Sequence, residues 1–358
     1  MICQFDETPE WNKAGDSSRV KSPTGNKHSL IQTINCIITL LLCFTAPGLL
    51  SSCARPTADV IDKEILYLSP QPLSVKKSHS PAFLIKKPKE QYNRIGMPSV
   101  RESADHLPEI FVDSDRPAIF FESQEFTTLK GTYQNLIYRI HFEKVPFALN
   151  KINLTAGNNP GLLIIYTLDT SEQLLLITTV HTCGCFLAFF PTTALSQEWF
   201  PPGWPPESQW IYGHNLPSMI PLSQNHDLET IVFTLESETH RISNVVASTD
   251  DSLQLAYDTI EMEFFLMNAL YQLPYKGRTE SFFEMSGPRK GFVKNNTKIL
   301  ERLLMSWWAF DFYVGRDKAF GSADTSDIIF YTSLKFWARK ASDMKDFPGF
   351  LSYWGWKF

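Results

Sequence analysis

Apolar positions follow three different spacings along this chain. Between Leu136 and Phe142 they alternate with polar ones: Leu136, Tyr138, Ile140 and Phe142 lie on one side, Ile137, Arg139 and His141 on the other. A period of two predicts a strand, and Arg139 and His141 predict that one of its faces is wet. Gly161–Leu168 and Leu174–Val180 are continuous apolar runs joined by the polar stretch Asp169–Gln173. That is the pattern of a hairpin whose strands are covered on both faces. Phe186–Phe190 extends the same sheet, and Thr230–Leu235 with Arg241–Ala247 predicts a second hairpin. Residues 191–217 hold six prolines and the tryptophans Trp199, Trp204 and Trp210, which predicts a long loop.

Beyond residue 250 the period lengthens. Leu253, Ala256, Ile260, Phe264, Met267 and Tyr271 recur at three and four residues until Pro274, predicting an amphipathic helix. A second helix is expected to start from an Asn296 cap. It would carry Ile299, Leu300, Leu303, Leu304, Trp307 and Trp308 on its apolar side and end near Gly315. Residues 326–340 fit strand and helix equally, and the aromatic tail Phe347–Phe358 is expected to dock on the core. Strands followed by helices predict an α+β domain over residues 116–358: antiparallel hairpins forming a sheet, then C-terminal amphipathic helices.

The start of the chain reads differently. Residues 30–50 contain an apolar heart of eleven residues, Cys36 to Ala46, bounded by Gln32, Thr33 and Asn35 on one side and Pro47-Gly48 on the other. A membrane-spanning helix needs about 20 apolar residues, so this run suits the middle of a signal peptide better. Arg19, Lys21 and Lys27 supply the positive flank, and Leu50-Ser51-Ser52-Cys53 follows. In that order these features resemble a bacterial prolipoprotein over residues 28–53. The resemblance implies cleavage before Cys53, diacylglycerol on its thiol, and a lipid anchor of two or three chains that holds a membrane firmly where one chain would not. It also implies a cell-envelope address. Ala54 after the cysteine suggests outer-membrane sorting, facing the periplasm, if the source is Gram-negative. On this reading residues 1–52 are the signal peptide. Residues 53–115, polar and punctuated by Pro56, Pro70, Pro72, Pro81, Pro88, Pro98 and Pro108, form a tether. The alternative for that stretch is extended segments wrapped along the domain edge. An uncleaved N-terminal helix and ordinary signal cleavage are the competing readings of the leader; the first has a short run, the second lacks an A-x-A site.

Composition narrows the function classes. Net charge is −5, from 33 basic and 38 acidic residues, with no basic stripe, so a nucleic-acid partner is not expected. Lys76-Lys77 and Lys86-Lys87-Pro88-Lys89 read as solvating clusters. If Cys3, Cys36 and Cys43 leave with the signal and Cys53 is acylated, only Cys183 and Cys185 are left, in a compartment where disulfides persist.

The sharpest local motif is His181-Thr182-Cys183-Gly184-Cys185 at the end of an apolar run. In an extended strand His181, Cys183 and Cys185 share a face, and imidazole with thiolates suits zinc or copper, with His214 or His226 as a fourth ligand. An extended strand separates its ends by roughly 13 Å, so one ion needs Gly184 to bend the chain. The bend would equally allow a Cys183–Cys185 disulfide. Small buried cysteines with a hydrogen-bonded histidine is the structural alternative. Trp199, Trp204, Trp210 and Tyr212 could stack on a sugar or peptide, or cap a core edge. Asp311, Arg316, Asp317 and Lys318 read as a solvated cluster at a helix end, with a pocket lining as the alternative. Three functions follow as expectations: a non-catalytic envelope lipoprotein, binding or structural, with an unknown ligand or protein partner; a metal or thiol-redox protein; and a hydrolase using Cys183 with a histidine such as His214. No serine-hydrolase elbow, phosphate-binding glycine loop or paired-histidine helix is present in the sequence.

Overall fold

The computed structural model describes residues 63–70, 79–147, 153–223 and 229–358. The leader and Cys53 lie outside the described residues, and so does His226. In chain order the strands are β1 (Ile65–Leu68), β2 (Ala82–Ile85), β3 (Ile95–Glu102), β4 (Pro108–Asp113), β5 (Ala118–Thr128), β6 (Gly131–Phe142), β7 (Gly161–Leu168), β8 (Leu174–His181), β9 (Ala188–Pro191), β10 (Ser208–Ile211), β11 (His214–Pro217), β12 (Glu229–Leu235), β13 (Ile242–Thr249), β14 (Asp258–Glu261) and β15 (Glu263–Leu266). The helices are α1 (Asp250–Ala256), α2 (Ile299–Ala309) and α3 (Phe347–Tyr353).

The chain is an α+β protein in three layers. A five-stranded sheet runs β13-β12-β2-β1-β14. A larger sheet runs β9-β8-β7-β6-β3-β4, with β5 also on β6 and β15 on β5. The hairpins read from the sequence are present: β7 pairs antiparallel with β8, and β12 with β13. Between the two sheets lies one core, in which Phe83, Ile231, Phe233 and Val245 of the smaller sheet meet Leu136, Tyr138, Ile140, Ile164 and Tyr166 of the larger. The far face of the larger sheet is covered by the C-terminal part of the chain. There Ile137, Leu163 and Ile165 pack with Phe282, Phe283, Phe350 and Trp356. The aromatic tail is therefore docked as its composition suggests.

That third layer corrects the reading of β6. Its Arg139 and His141 face is not wet; both side chains are fully buried. Period two gave the right strand, but what covers a face is decided by residues more than a hundred positions away.

Two helix expectations change. The run from Leu253 to Tyr271 is helical only as α1; then come β14, β15 and a short 3-10 turn at Met267–Tyr271. Within it Thr259, Glu261 and Glu263 are exposed, whereas Ile260, Met262 and Phe264 are not. This period-two pattern coincides with the three-and-four spacing, and it wins because β14 pairs with β1 and β15 with β5. α2 exists but is capped and turned differently. Lys298, not Asn296, stands at its N-cap, and it ends where Phe310 turns left-handed at φ 49°. Its buried residues are Glu301, Met305 and Ala309, while Ile299, Leu303, Leu304, Trp307 and Trp308 face solvent.

The expected tether at 53–115 is not one throughout. Its described part supplies β1 to β4, and β1 and β2 occupy central positions in the smaller sheet. Residues 191–217, read as loop, contain the hairpin β10–β11. Residues 326–340, ambiguous from sequence, are largely irregular, with a short 3-10 turn at Phe336–Ala338.

Candidate functional site

β8 ends at His181, and the next four residues turn back. The His181 amide donates to the Cys185 carbonyl at 2.9 Å and the Gly184 amide to the His181 carbonyl at 2.7 Å. Gly184 adopts φ 92°, and a Cβ there would run into the Tyr331 carbonyl, so glycine is required for both angle and space. The turn sends the three candidate ligands apart. His181 points toward the loops of the smaller sheet, where its Nε2 donates to the His240 carbonyl at 3.2 Å. His240 in turn donates to the Tyr92 carbonyl at 2.8 Å and stacks on Phe142 at 3.9 Å. Cys183 and Cys185 sit instead with Phe186, Tyr212 and Leu334.

Neither thiol is poised for chemistry. Cys183 is free and buried; burial outweighs the nearby Lys298 ammonium and pushes its thiol up to about 11. Cys185 is disulfide-bonded. Since Cys183 is free, the expected Cys183–Cys185 disulfide is not made. The Cys185 Sγ lies 3.5 Å from Oε1 of Glu301. A disulfide sulfur has no proton to give, so this is a contact rather than a hydrogen bond. His214, at the start of β11, faces Glu236 at 3.9 Å. Among the described residues no three His, Cys, Asp or Glu side chains gather as a metal site would require.

The four aromatic candidates disperse as well. Trp199 packs edge-on to Tyr133 and Phe358 beneath the Lys130 ammonium. Trp204 meets Trp356 at 5.0 Å and donates from Nε1 to the Ser218 carbonyl. Both cap the edge of the core. Trp204 also lines a cavity of about 400 Å³ walled by Pro201, Pro202, Pro205 and Pro206. Trp210 is exposed on β10, and Tyr212 is edge-on to Phe186 at 5.0 Å.

What the 181–185 turn does meet is a buried cluster of charges. Arg139, Lys298, Lys318, Asp317 and Glu301 are all at most 2% exposed. Asp317, read from sequence as part of a solvated cluster, is its centre. Its Oδ2 accepts from Asn296 Nδ2 at 2.6 Å and lies 3.1 Å from the Lys298 ammonium. Its Oδ1 accepts from the Thr182 hydroxyl and from the Gly161 amide. Lys318 donates to the Cys183 carbonyl at 2.7 Å, with its ammonium 4.6 Å from the Tyr331 ring. Arg139 donates through Nε to His141 Nε2 at 2.8 Å and through Nη1 to the Lys318 carbonyl at 3.0 Å. His141 Nδ1 then donates to the Pro160 carbonyl, which fixes a neutral tautomer. Burial and the adjacent guanidinium both hold that imidazole well below its ordinary value.

Burial alone would push Lys298 down, but Asp317, with Cys183 and Glu301, turns the shift upward and keeps it charged. Glu301 is pushed up by burial against the pull of Lys298. Sequence spacing flagged Asp317 and Lys318, whereas Asn296 was read only as a helix cap, Thr182 only as part of the 181–185 motif, and Lys298 and Glu301 not at all. A cation and an acid at 298 and 301, flanking a helix start, were the only hint. Chemically the arrangement is a set of mutually paired donors and acceptors, with Arg139 Nη2 alone of that side chain's nitrogens left without a partner among the described residues, that fastens the C-terminal layer to the ends of β6, β7 and β8.

Two outcomes follow. Asp317→Ala leaves the Lys298 charge buried without its carboxylate and is expected to lose about 3–5 kcal/mol in urea unfolding. The double change Lys298→Met with Asp317→Leu is expected to lose less than Asp317→Ala alone. Acid should also weaken the fold. Burial holds His181 down at about 4 and His240 at about 3, whereas the unfolded chain takes up these protons near the ordinary value of 6.5. The unfolded state binds more protons in this window. Stability is therefore full above about pH 6.5 and falls toward pH 4, by up to about 1.4 kcal/mol per pH step for each histidine. Urea midpoints measured from pH 7 to 4 should show the slope, and His181→Gln should flatten part of it.

No protein-family model, curated protein or solved structure matches this chain.

Proposed function

We propose that this chain is a membrane-anchored lipoprotein of the cell envelope whose folded domain binds or supports rather than catalyses. The observation that carries the reading is the order of positive flank, eleven-residue apolar run and Leu50-Ser51-Ser52-Cys53. These residues lie outside those the structure describes. Two features of the described part support the non-catalytic half. Cys183 is a buried thiol raised to about 11, the opposite of an activated nucleophile. The charge cluster beside it faces inward and is occupied with its own hydrogen bonds. No helix among the described residues is long and apolar enough to cross a membrane.

The metal or thiol-redox reading would need His181, Cys183, Cys185 and His214 to converge, and the hydrolase reading would need an exposed Cys183. Neither has a favouring observation in the geometry.

Mass spectrometry of the natural product tests the anchor. The expected chain begins at Cys53 and carries diacylglycerol; residues 1–52 still attached and no acyl group would contradict it. A Cys53→Ser chain should lose the lipid and stay uncleaved.

A further inference from the structure

α2 presents to solvent the side that a helix normally hides. Leu303 is 66% exposed, Trp307 68%, Phe310 75% and Phe312 81%; Trp337, on the neighbouring segment, is 69% exposed. Single apolar side chains on a surface are ordinary, but these join. Phe310 meets Phe336 edge-on at 5.4 Å, and Phe336 meets Trp337 at 4.9 Å. A continuous aromatic patch marks a surface that something covers. The helix is held this way round from inside. Met305 and Ala309 pack with Val314 and Leu334, and Glu301 is drawn toward Lys298 and Lys318.

Charge says what kind of cover suits it. Two carboxylates occur between 299 and 312, and neither faces out: Glu301 is buried, and Asp311 accepts from the Tyr331 hydroxyl at 2.7 Å. Cations border the patch instead. Arg302 is exposed on α2, and Lys340 lies just past Trp337. Arg339 reaches the Phe310 carbonyl at 3.5 Å. Arg289 and Arg302 stand close enough to Arg316 for their charges to oppose its own, second only to its burial, although Arg289 is itself paired with Glu284 at 3.5 Å. Protruding indole and phenyl rings, a leucine ridge and a predominantly cationic rim are the chemistry of a helix lying in the headgroup region of an anionic bilayer.

We propose that the α2–Trp337 face seats on an anionic phospholipid surface. The inference deepens the anchored-lipoprotein reading by adding a second membrane contact to the one at Cys53. A lipid on Cys53 leaves residues 54–62 before the described part begins, about 30 Å at full stretch, so the domain never leaves reach of the bilayer.

The test uses the full chain carrying Cys53→Ser, which cannot be acylated, floated with phosphatidylcholine–phosphatidylglycerol vesicles. It is compared with the same chain carrying Leu303→Glu, Trp307→Glu and Trp337→Glu. Both chains keep the N-terminal apolar run, so the ratio isolates the face. Partitioning is expected to fall about tenfold or more in the triple variant, and to weaken for the parent in high salt or on pure phosphatidylcholine. Equal partitioning of the two chains overturns the proposal. So does sedimentation equilibrium showing a parent dimer that the triple variant abolishes, which would assign the face to a second copy. Should the triple variant fail to fold, the parent alone still decides: brominated lipids must quench its tryptophan emission, and unquenched emission in bound protein overturns the proposal. Because acylation is absent from every chain in this experiment, its failure leaves the anchor to be judged from the mass of the natural product.

Discussion

Three separate stretches of the chain meet at the Asp317 carboxylate. The ends of β7 and β8 reach it through the Gly161 amide and the Thr182 hydroxyl, and the approach to α2 reaches it through Asn296 and Lys298. Its own segment is laid between these two, with the Lys318 amide donating to the Thr182 carbonyl and the Val293 amide to the Asp317 carbonyl. Taking such charges out of water costs several kcal/mol per ion, and the cost is met only if every lone pair and proton finds a partner in good geometry. An apolar contact tolerates sliding; this set of directed bonds admits one register. The position of the whole C-terminal layer on the larger sheet follows from that constraint, as does the orientation of α2.

The same constraint shapes the chemistry. His141, His181 and His240 are held neutral by burial and spend their N–H groups on backbone carbonyls. The thiol of Cys183 is held protonated. A cluster of perturbed groups often marks a catalytic site, but structural ion-pair networks perturb their members in the same way. Here the perturbed groups face one another and the backbone. The features that face outward are of a different kind: the aromatic side of α2 and its cationic rim.

Strands with strong short-range patterns were legible in the sequence. β7, β8 and the β12–β13 hairpin announced themselves through continuous apolar runs with a polar turn between them. The Leu253–Tyr271 stretch misled because Ile260 and Phe264 fit a helix and a strand alike, and only pairing with β1 and β5 separates the two. α2 misled more deeply. Its hydrophobic spacing located it correctly but named the wrong side as buried, because a glutamate is held inward by lysines at 298 and 318 that are local in space and not in pattern. The 181–185 motif was read first as extended strand, with Gly184 only permitting a bend, and at φ 92° Gly184 makes that bend. Its partners were not legible: Asp317 and Lys318 read as a solvated helix end when nothing in their neighbourhood shows that the third layer closes over them.

If the cluster is a fastening and not a working site, the sheet and the C-terminal layer open together or not at all. Cys183 reports on this directly, because its carbonyl is held by Lys318 and its thiol is buried behind the turn. The decisive measurement is the alkylation rate at Cys183, read by peptide mass across a urea series below the unfolding transition. The account predicts that the free energy of exposing this thiol equals that of global unfolding and follows urea with the same slope. A thiol that alkylates through a smaller, urea-insensitive opening would contradict the account and return the turn to the list of working sites.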